Sequence, residues 1–216
     1  MSLAAVLFDL DGTLHDKTAT LRKMAVLQYE HVSAAGIPLD TWTERFVALN
    51  NERIEKPEVF ERLAVEFNLA EKLRSRLLHG FDERLGSIAQ PMDGAVEILE
   101  WCRAMGLKTA IVTNGRDAFQ RSKVSGMGID SLVDHVVTSG GLGIKKPSHA
   151  IFMSCLEGLA VAPRNAAMVG DDVMADIAPA KELGMLAIYV GRSNCAQADF
   201  VAEGLRAVKG YLQGVA

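Results

Sequence analysis

The chain reads as an α/β protein in which a parallel-sheet domain carries a small all-helical domain inserted after its first strand. Three observations predict this. Over the C-terminal two-thirds, short apolar runs alternate with helical patterns, which is how a parallel sheet with covering helices is written. Several of those runs are continuously apolar, as strands buried on both faces require. Between the first run and the second, from about Lys17 to Ala89, there is no strand candidate, only helical periodicity rich in Glu, Arg, Leu and Ala.

Taken in order, the first strand is expected at 4–8. The insertion follows, and Pro38 and Pro57 mark helix starts within it, because proline is tolerated in the first turn where its missing N–H is not needed. Further strands are expected at 109–113, 135–138, 166–169 and 187–190, with helices at 94–105, 118–126, 149–159 and 174–183 between them. Gly106, Gly128 and Gly184 fall where helices would end. The expected domains are residues 1–16 with 89–216 as the α/β core and 17–88 as the helical cap, with hinges at 14–16 and 87–91.

Composition narrows the function. The 216 residues carry 27 acidic and 23 basic side chains, a formal net charge of −4. Such a surface has no general attraction for nucleic acid or for an anionic membrane, so a phosphorylated ligand must be held by local groups. No apolar run reaches bilayer length, and no basic leader precedes the short apolar start, so the expectation is a cytoplasmic protein. The three cysteines, Cys102, Cys155 and Cys195, lack metal-like spacing and are read as free thiols.

The chemistry concentrates at the ends of the expected strands. In open parallel sheets, ligands bind outside the carboxyl ends of the strands. Asp9 and Asp11 follow the first strand, Thr113-Asn114-Gly115 the second, Lys146-Pro147 lies beyond the third, and Gly170-Asp171-Asp172 with Asp176 follows the fourth. Carboxylates gathered on one rim repel unless a cation is present, and an oxygen-only donor set favours Mg²⁺. A threonine hydroxyl, backbone N–H groups and a lysine suit the oxygens of a phosphoryl group.

These four motifs, in this order, resemble the haloacid dehalogenase superfamily: Phe8-Asp9-Leu10-Asp11-Gly12-Thr13-Leu14, Ile111-Val112-Thr113-Asn114-Gly115, Lys146-Pro147 and Val169-Gly170-Asp171-Asp172. The resemblance covers the core domain and implies a Rossmann-like fold, a C1-type helical cap and a phosphatase. It implies Asp9 as the nucleophile that becomes an aspartyl-phosphate, and Asp11 as the acid that protonates the leaving group and then the base that activates water. On that reading Asp9 stays ionised while the Asp11 carboxyl is raised. Thr113 and Lys146 would hold the phosphoryl group, with Asn114 and Gly115 also binding substrate. Asp9, Asp171 and the carbonyl of Asp11 would ligate Mg²⁺, with Asp172 and Asp176 in or behind the metal site. The aspartate at position 11 separates phosphate enzymes of this superfamily from those that cleave carbon–halogen bonds.

The implied activity is Mg²⁺-dependent hydrolysis of a small phosphorylated metabolite, with no nucleic-acid or membrane partner, by a monomer or simple homodimer. A phosphosugar mutase of the beta-phosphoglucomutase type and a catalytically silent binding protein are the alternatives on the same fold. His15 departs from the family pattern and is read as a half-exposed hinge residue. Arg116 is read as a surface residue at a helix start. Within the cap, Arg45, Asn50, Arg53 and Lys56 are candidates to read the leaving group.

Overall fold

The computed structural model describes residues 3–52 and 54–215; Arg53 lies outside them. The chain divides into two compact units, Lys17–Gln90 and the combination of Met1–Asp16 with Pro91–Ala216. No helix among the described residues is long and apolar enough to cross a membrane.

The Lys17–Gln90 unit is four helices: α1 (Lys17–Val32), α2 (Leu39–Asn51), α3 (Lys56–Glu66) and α4 (Glu71–Arg84). Pro38 immediately precedes α2 and Pro57 sits in the first turn of α3, as their chemistry predicts. The unit is held by an aromatic core. Trp42, Phe46, Phe60 and Phe81 are fully buried, with consecutive ring centroids 5.6, 6.0 and 5.7 Å apart at tilted or edge-on angles. The indole N–H of Trp42 donates to the Ala25 carbonyl at 3.0 Å, so its one polar atom is buried with a partner. The unit ends at Gln90, two residues past the expected boundary, because the Gln90 N–H donates to Thr20 Oγ1 of α1.

Three of the four insertion residues considered for substrate reading have partners within this unit. Arg45 pairs through two nitrogens with Glu66. Asn50 is buried, donates to the Phe46 carbonyl and accepts from Lys56 Nζ at 2.9 Å.

The other unit is built on a six-stranded sheet: β1 (Ala5–Phe8), β2 (Lys108–Thr113), β3 (His135–Thr138), β4 (Ala166–Gly170), β5 (Leu186–Val190) and β6 (Phe200–Ala202). Every neighbouring pair is parallel, and the order is β3-β2-β1-β4-β5-β6. Side chains alternate across the sheet, so Ala5, Leu7, Ala110, Val112, Ala166, Met168 and Ala187 share one core with Ile151, Phe152, Cys155 and Leu156. Those last four project from one helix. The covering helices are α5 (Ala95–Ala104), α6 (Asp117–Gly126), α7 (Ser139–Leu142), α8 (His149–Leu159), α9 (Ala178–Glu182) and α10 (Leu205–Leu212).

Two features depart from the sequence reading. The expected helix at 174–183 is instead a wide π-helical turn, Val173–Ile177, followed by the short α9. Pro179 explains the break, since it has no N–H to continue the ladder into the preceding turn. Strand β6 and helix α10 were not anticipated. Strand β6 has only three residues at the sheet edge, and the apolar spacing of α10 (Leu205, Val208, Leu212) spans barely two turns.

The order of strands places the site. The chain builds outward from β1 through β2 to β3, then returns to lay β4 on the other side of β1, leaving a crevice where the direction reverses. Phe8 is level with both Ile111 and Val169, so the residues following β1, β2 and β4 emerge on one rim.

Candidate active site

Asp9 leaves β1 with its N–H still bonded to the Val169 carbonyl of β4 at 2.9 Å, so the sheet itself sets the position of this carboxylate. Asp171 is carried out of β4 by Gly170. Asp9, Asp171 and Asp176 each bring an oxygen to within 4.8 Å of the others. Two glycines make room for this crowding. A side chain at Gly12, whose φ is +97°, would collide with the Asp171 carboxylate, and one at Gly170 would run into Asp176.

Lys146 enters the same cluster. Its ammonium donates to Asp9 at 2.5 Å and to Asp176 at 2.7 Å, and all three residues are buried. Burial alone would pull the lysine down, but Asp9 and then Asp176 outweigh it and hold the ammonium well above its usual range. Burial and the neighbouring Asp9 anion push the Asp176 carboxyl up to about 7, with Lys146 opposing. Desolvation and Asp9 likewise push Asp171 up to about 6. These shifts are the signature of three carboxylates sharing too little positive charge.

Asp11 lies apart from that cluster. Lys123 of α6 donates to both of its oxygens at 2.8 Å, the His15 Nδ1–H donates to Oδ1 at 2.6 Å, and Gln120 Nε2 donates to Oδ2 at 3.1 Å. The expected raised carboxyl is not found here. Burial does act to raise it, but Lys123 and His15 prevail and hold Asp11 well below the usual carboxylate range. His15 is also no half-exposed hinge residue: it is fully buried, its backbone bridging to Asp11 and Pro91.

The motif after β2 is tied into the protein by hydrogen bonds at each of its three residues. Thr113 Oγ1 is buried and accepts from Gln120 Nε2 at 2.7 Å, while its own O–H makes only a long contact, 3.5 Å, to the Asn114 carbonyl. Asn114 faces the protein: Oδ1 accepts from the Lys146 N–H at 2.9 Å and Nδ2 donates to the Lys146 carbonyl at 3.1 Å. The Gly115 N–H donates to Ser139 Oγ at 2.9 Å, so it is engaged within the protein. The Asn114 side chain and the Gly115 N–H, both expected to face substrate, thus have partners within the protein. Gly115 has a positive φ, and a side chain there would strike Gln120.

Asp172 also turns away from the acidic cluster. Its Oδ1 accepts from the N–H groups of Met174 and Ala175 at 2.9 and 3.0 Å, capping the π-helical turn. That turn carries Asp176 back to Lys146, and Asp176 Oδ2 accepts from the Asp172 N–H. Arg116 is exposed at the start of α6, with its guanidinium 5.1 Å from the centre of the Phe119 ring.

Gln120 and Lys123 are neighbours of the site to which sequence reasoning assigned no role in it. Their signal is a broken pattern. The buried positions of α6 are Gln120, Lys123 and Val124, so two polar residues occupy the face that helical periodicity reserves for apolar ones.

The chain is similar in sequence and in fold to known proteins. A glyceraldehyde 3-phosphate phosphatase of Methanothermobacter thermautotrophicus is 30% identical over 199 residues, covering 87% of this chain and 85% of that protein. A ribulose-1,5-bisphosphate 5-phosphatase of Halopiger xanaduensis is 31% identical over 202 residues, covering 84% and 82%. The crystal structure of a HAD phosphatase from Thermococcus onnurineus matches with a TM-score of 0.66 at 29% identity, over 98% of this chain and 99% of that one. The family described as haloacid dehalogenase-like hydrolase matches residues 3–184, and the chain belongs to it.

Proposed function

We propose that this haloacid dehalogenase-like phosphatase hydrolyses the phosphate monoester of a small metabolite through an aspartyl-phosphate on Asp9. The observation that carries the reading is the buried Asp9–Lys146–Asp176 assembly beside Asp171, at the carboxyl ends of β1 and β4. Two of the relatives named above are phosphatases of phosphorylated metabolites of three and five carbons, and a substrate of that size class is proposed here.

The oxygen donors of Asp9, Asp171 and Asp176 suit a hard divalent cation such as Mg²⁺, and the raised carboxyls of Asp171 and Asp176 register a shortage of positive charge there. When bound, that ion would neutralise the phosphoryl oxygens and the acidic cluster together. Asp9 uses one carboxylate oxygen to attack phosphorus while the bond to the leaving oxygen breaks. Lys146 and the Thr113 O–H hold the non-bridging oxygens and orient the group for in-line transfer. The leaving oxygen takes a proton from Asp11. A phosphate ester brings negative charge against Asp11, and that repulsion opposes Lys123 and favours the protonated acid. In the second step ionised Asp11 takes a proton from water, whose oxygen attacks phosphorus and releases Asp9.

The test is inorganic phosphate release across a panel of sugar phosphates, phosphorylated hydroxy acids and nucleotides with Mg²⁺. Turnover of at least one small ester, lost by more than about a thousand-fold in Asp9→Asn with the fold intact, is expected. Near-normal kcat in Asp9→Asn would sink the nucleophile assignment. Isomerisation of a phosphosugar with little phosphate release would replace hydrolysis with a mutase reaction.

A further inference from the structure

The contacts on Asp11 support an assignment that the motifs do not make. Lys123 is a charged residue on the inward face of α6, only 5% exposed, and among the described residues Asp11 is its one ion-pair partner. A buried ammonium is unfavourable unless a specific partner compensates it. Here it reaches both Asp11 oxygens at 2.8 Å, with the Phe119 ring centre 4.9 Å from Nζ. One helical turn earlier on the same face, Gln120 Nε2 reaches Asp11 Oδ2, Thr113 Oγ1 and the Asn114 carbonyl at 3.1, 2.7 and 3.1 Å. Helix α6 therefore grips Asp11 and Thr113 together, with His15 closing on Oδ1 from within the Asp11 loop. A carboxylate held at both oxygens has one orientation available to it. Surface ion pairs do not behave this way, because solvent leaves both side chains free to rotate.

We propose that Lys123 is a positioning residue for leaving-group chemistry: gripping both oxygens of Asp11, it fixes the direction from which that carboxyl meets the leaving oxygen. This rests on the reading of Asp11 as general acid and base. Lys123 touches neither phosphorus nor metabolite on this view; it acts through Asp11, with Gln120 setting the distance to Thr113.

The experiment compares kcat/KM for glycerol phosphate and for p-nitrophenyl phosphate, because kcat/KM reports the step in which the leaving group departs. The nitrophenolate departs without a proton, whereas an alkoxide does not. For Lys123→Met the ratio of alkyl to aryl kcat/KM is expected to fall at least about ten-fold, since positioned proton transfer contributes about 10²- to 10⁴-fold. Lys123→Gln, which keeps one donor, is expected to fall less, and it serves as the measured variant if the methionine protein does not fold. Asp11→Asn should show the full fall, and Lys123→Met added to it should lower the ratio no further. A normal fall in Asp11→Asn with an unchanged ratio in both Lys123 variants overturns the proposal and leaves the reading of Asp11 standing. An unchanged ratio in Asp11→Asn overturns that reading and the proposal with it.

Discussion

Replacing Asn114 with alanine should damage turnover more than stability, although its side chain points at protein backbone. Two hydrogen bonds are removed, at 2.9 and 3.1 Å to the N–H and carbonyl of Lys146. Each is worth about 0.5–1.5 kcal/mol net, and the exposure of Asn114 places the total near the low end, about 1–2 kcal/mol. In a domain of this size that is a fall in Tm of roughly 2–8 °C. The catalytic effect is amplified by distance. Lys146 Nζ is set at 2.5 Å from Asp9 and 2.7 Å from Asp176 by a loop that Asn114 pins at both backbone groups. A displacement of about 1 Å at a positioned group costs about 100-fold, which is about 2.7 kcal/mol of barrier. The assay pairs kcat/KM on p-nitrophenyl phosphate with urea unfolding, in wild type, Asn114→Ala, Lys146→Met and the double variant. Since Asn114 acts through Lys146, the double variant should lie close to Lys146→Met alone. Full activity in Asn114→Ala, or losses that simply add, would refute the reasoning.

Other outcomes follow from features described above. Gly12→Ala should destabilise the protein by about 1–3 kcal/mol in urea, because the left-handed backbone and the Asp171 carboxylate both oppose a side chain; it should also weaken Mg²⁺ binding measured by calorimetry. Mg²⁺ with beryllofluoride should raise Tm by ligand linkage, about 2.7 kcal/mol at a hundred times Kd, and Asp9→Asn should abolish that shift. Burial pushes the Cys102 and Cys155 thiols up to about 12 from the ordinary 9.0. The folded value is the higher one, so this contribution is complete below pH 9 and is lost as pH rises toward 12. Urea midpoints at pH 10.5 should reveal a loss of about 2 kcal/mol per thiol, absent in the corresponding alanine variants. In the native protein at pH 8 both thiols should resist Ellman's reagent.

The sheet was legible because its strands are short, continuous apolar runs whose partners need no knowledge of tertiary detail. Asp9, Thr113, Lys146 and Asp171 were legible for the related reason that a parallel sheet exposes its chemistry at strand ends, and four such ends could be read in order. The side-chain partners were not. Whether Asn114 faces a substrate or the backbone of Lys146 depends on how two loops from different strands meet, 32 residues apart in sequence. The lowered Asp11 carboxyl depends on Lys123, 112 residues away, and no local pattern pairs them. Asp172 reads as a carboxylate in or behind the metal site by its neighbour Asp171, and the turn that begins there has N–H groups that its Oδ1 satisfies, a partner no local pattern announces. His15 stood out as a departure, but its burial follows from the tight loop at 10–15, where three successive N–H groups, those of Thr13, Leu14 and His15, converge on the Leu10 carbonyl.

Asp9 and Lys146 are fastened to the molecule in unlike ways, and that has a kinetic corollary. The Asp9 amide belongs to the β1–β4 ladder at the centre of the sheet, whereas the Lys146 amide is tied to one side chain, Asn114, at the rim. Amides at the centre of a sheet exchange with solvent deuterium only when the whole domain opens, and those held by loop side chains exchange through smaller excursions. The Asp9 amide should therefore be among the last to take up deuterium and the Lys146 amide among the early ones. In such an excursion Asp9 stays in register while the Lys146 ammonium swings free, so the pair should part by local breathing long before the protein unfolds.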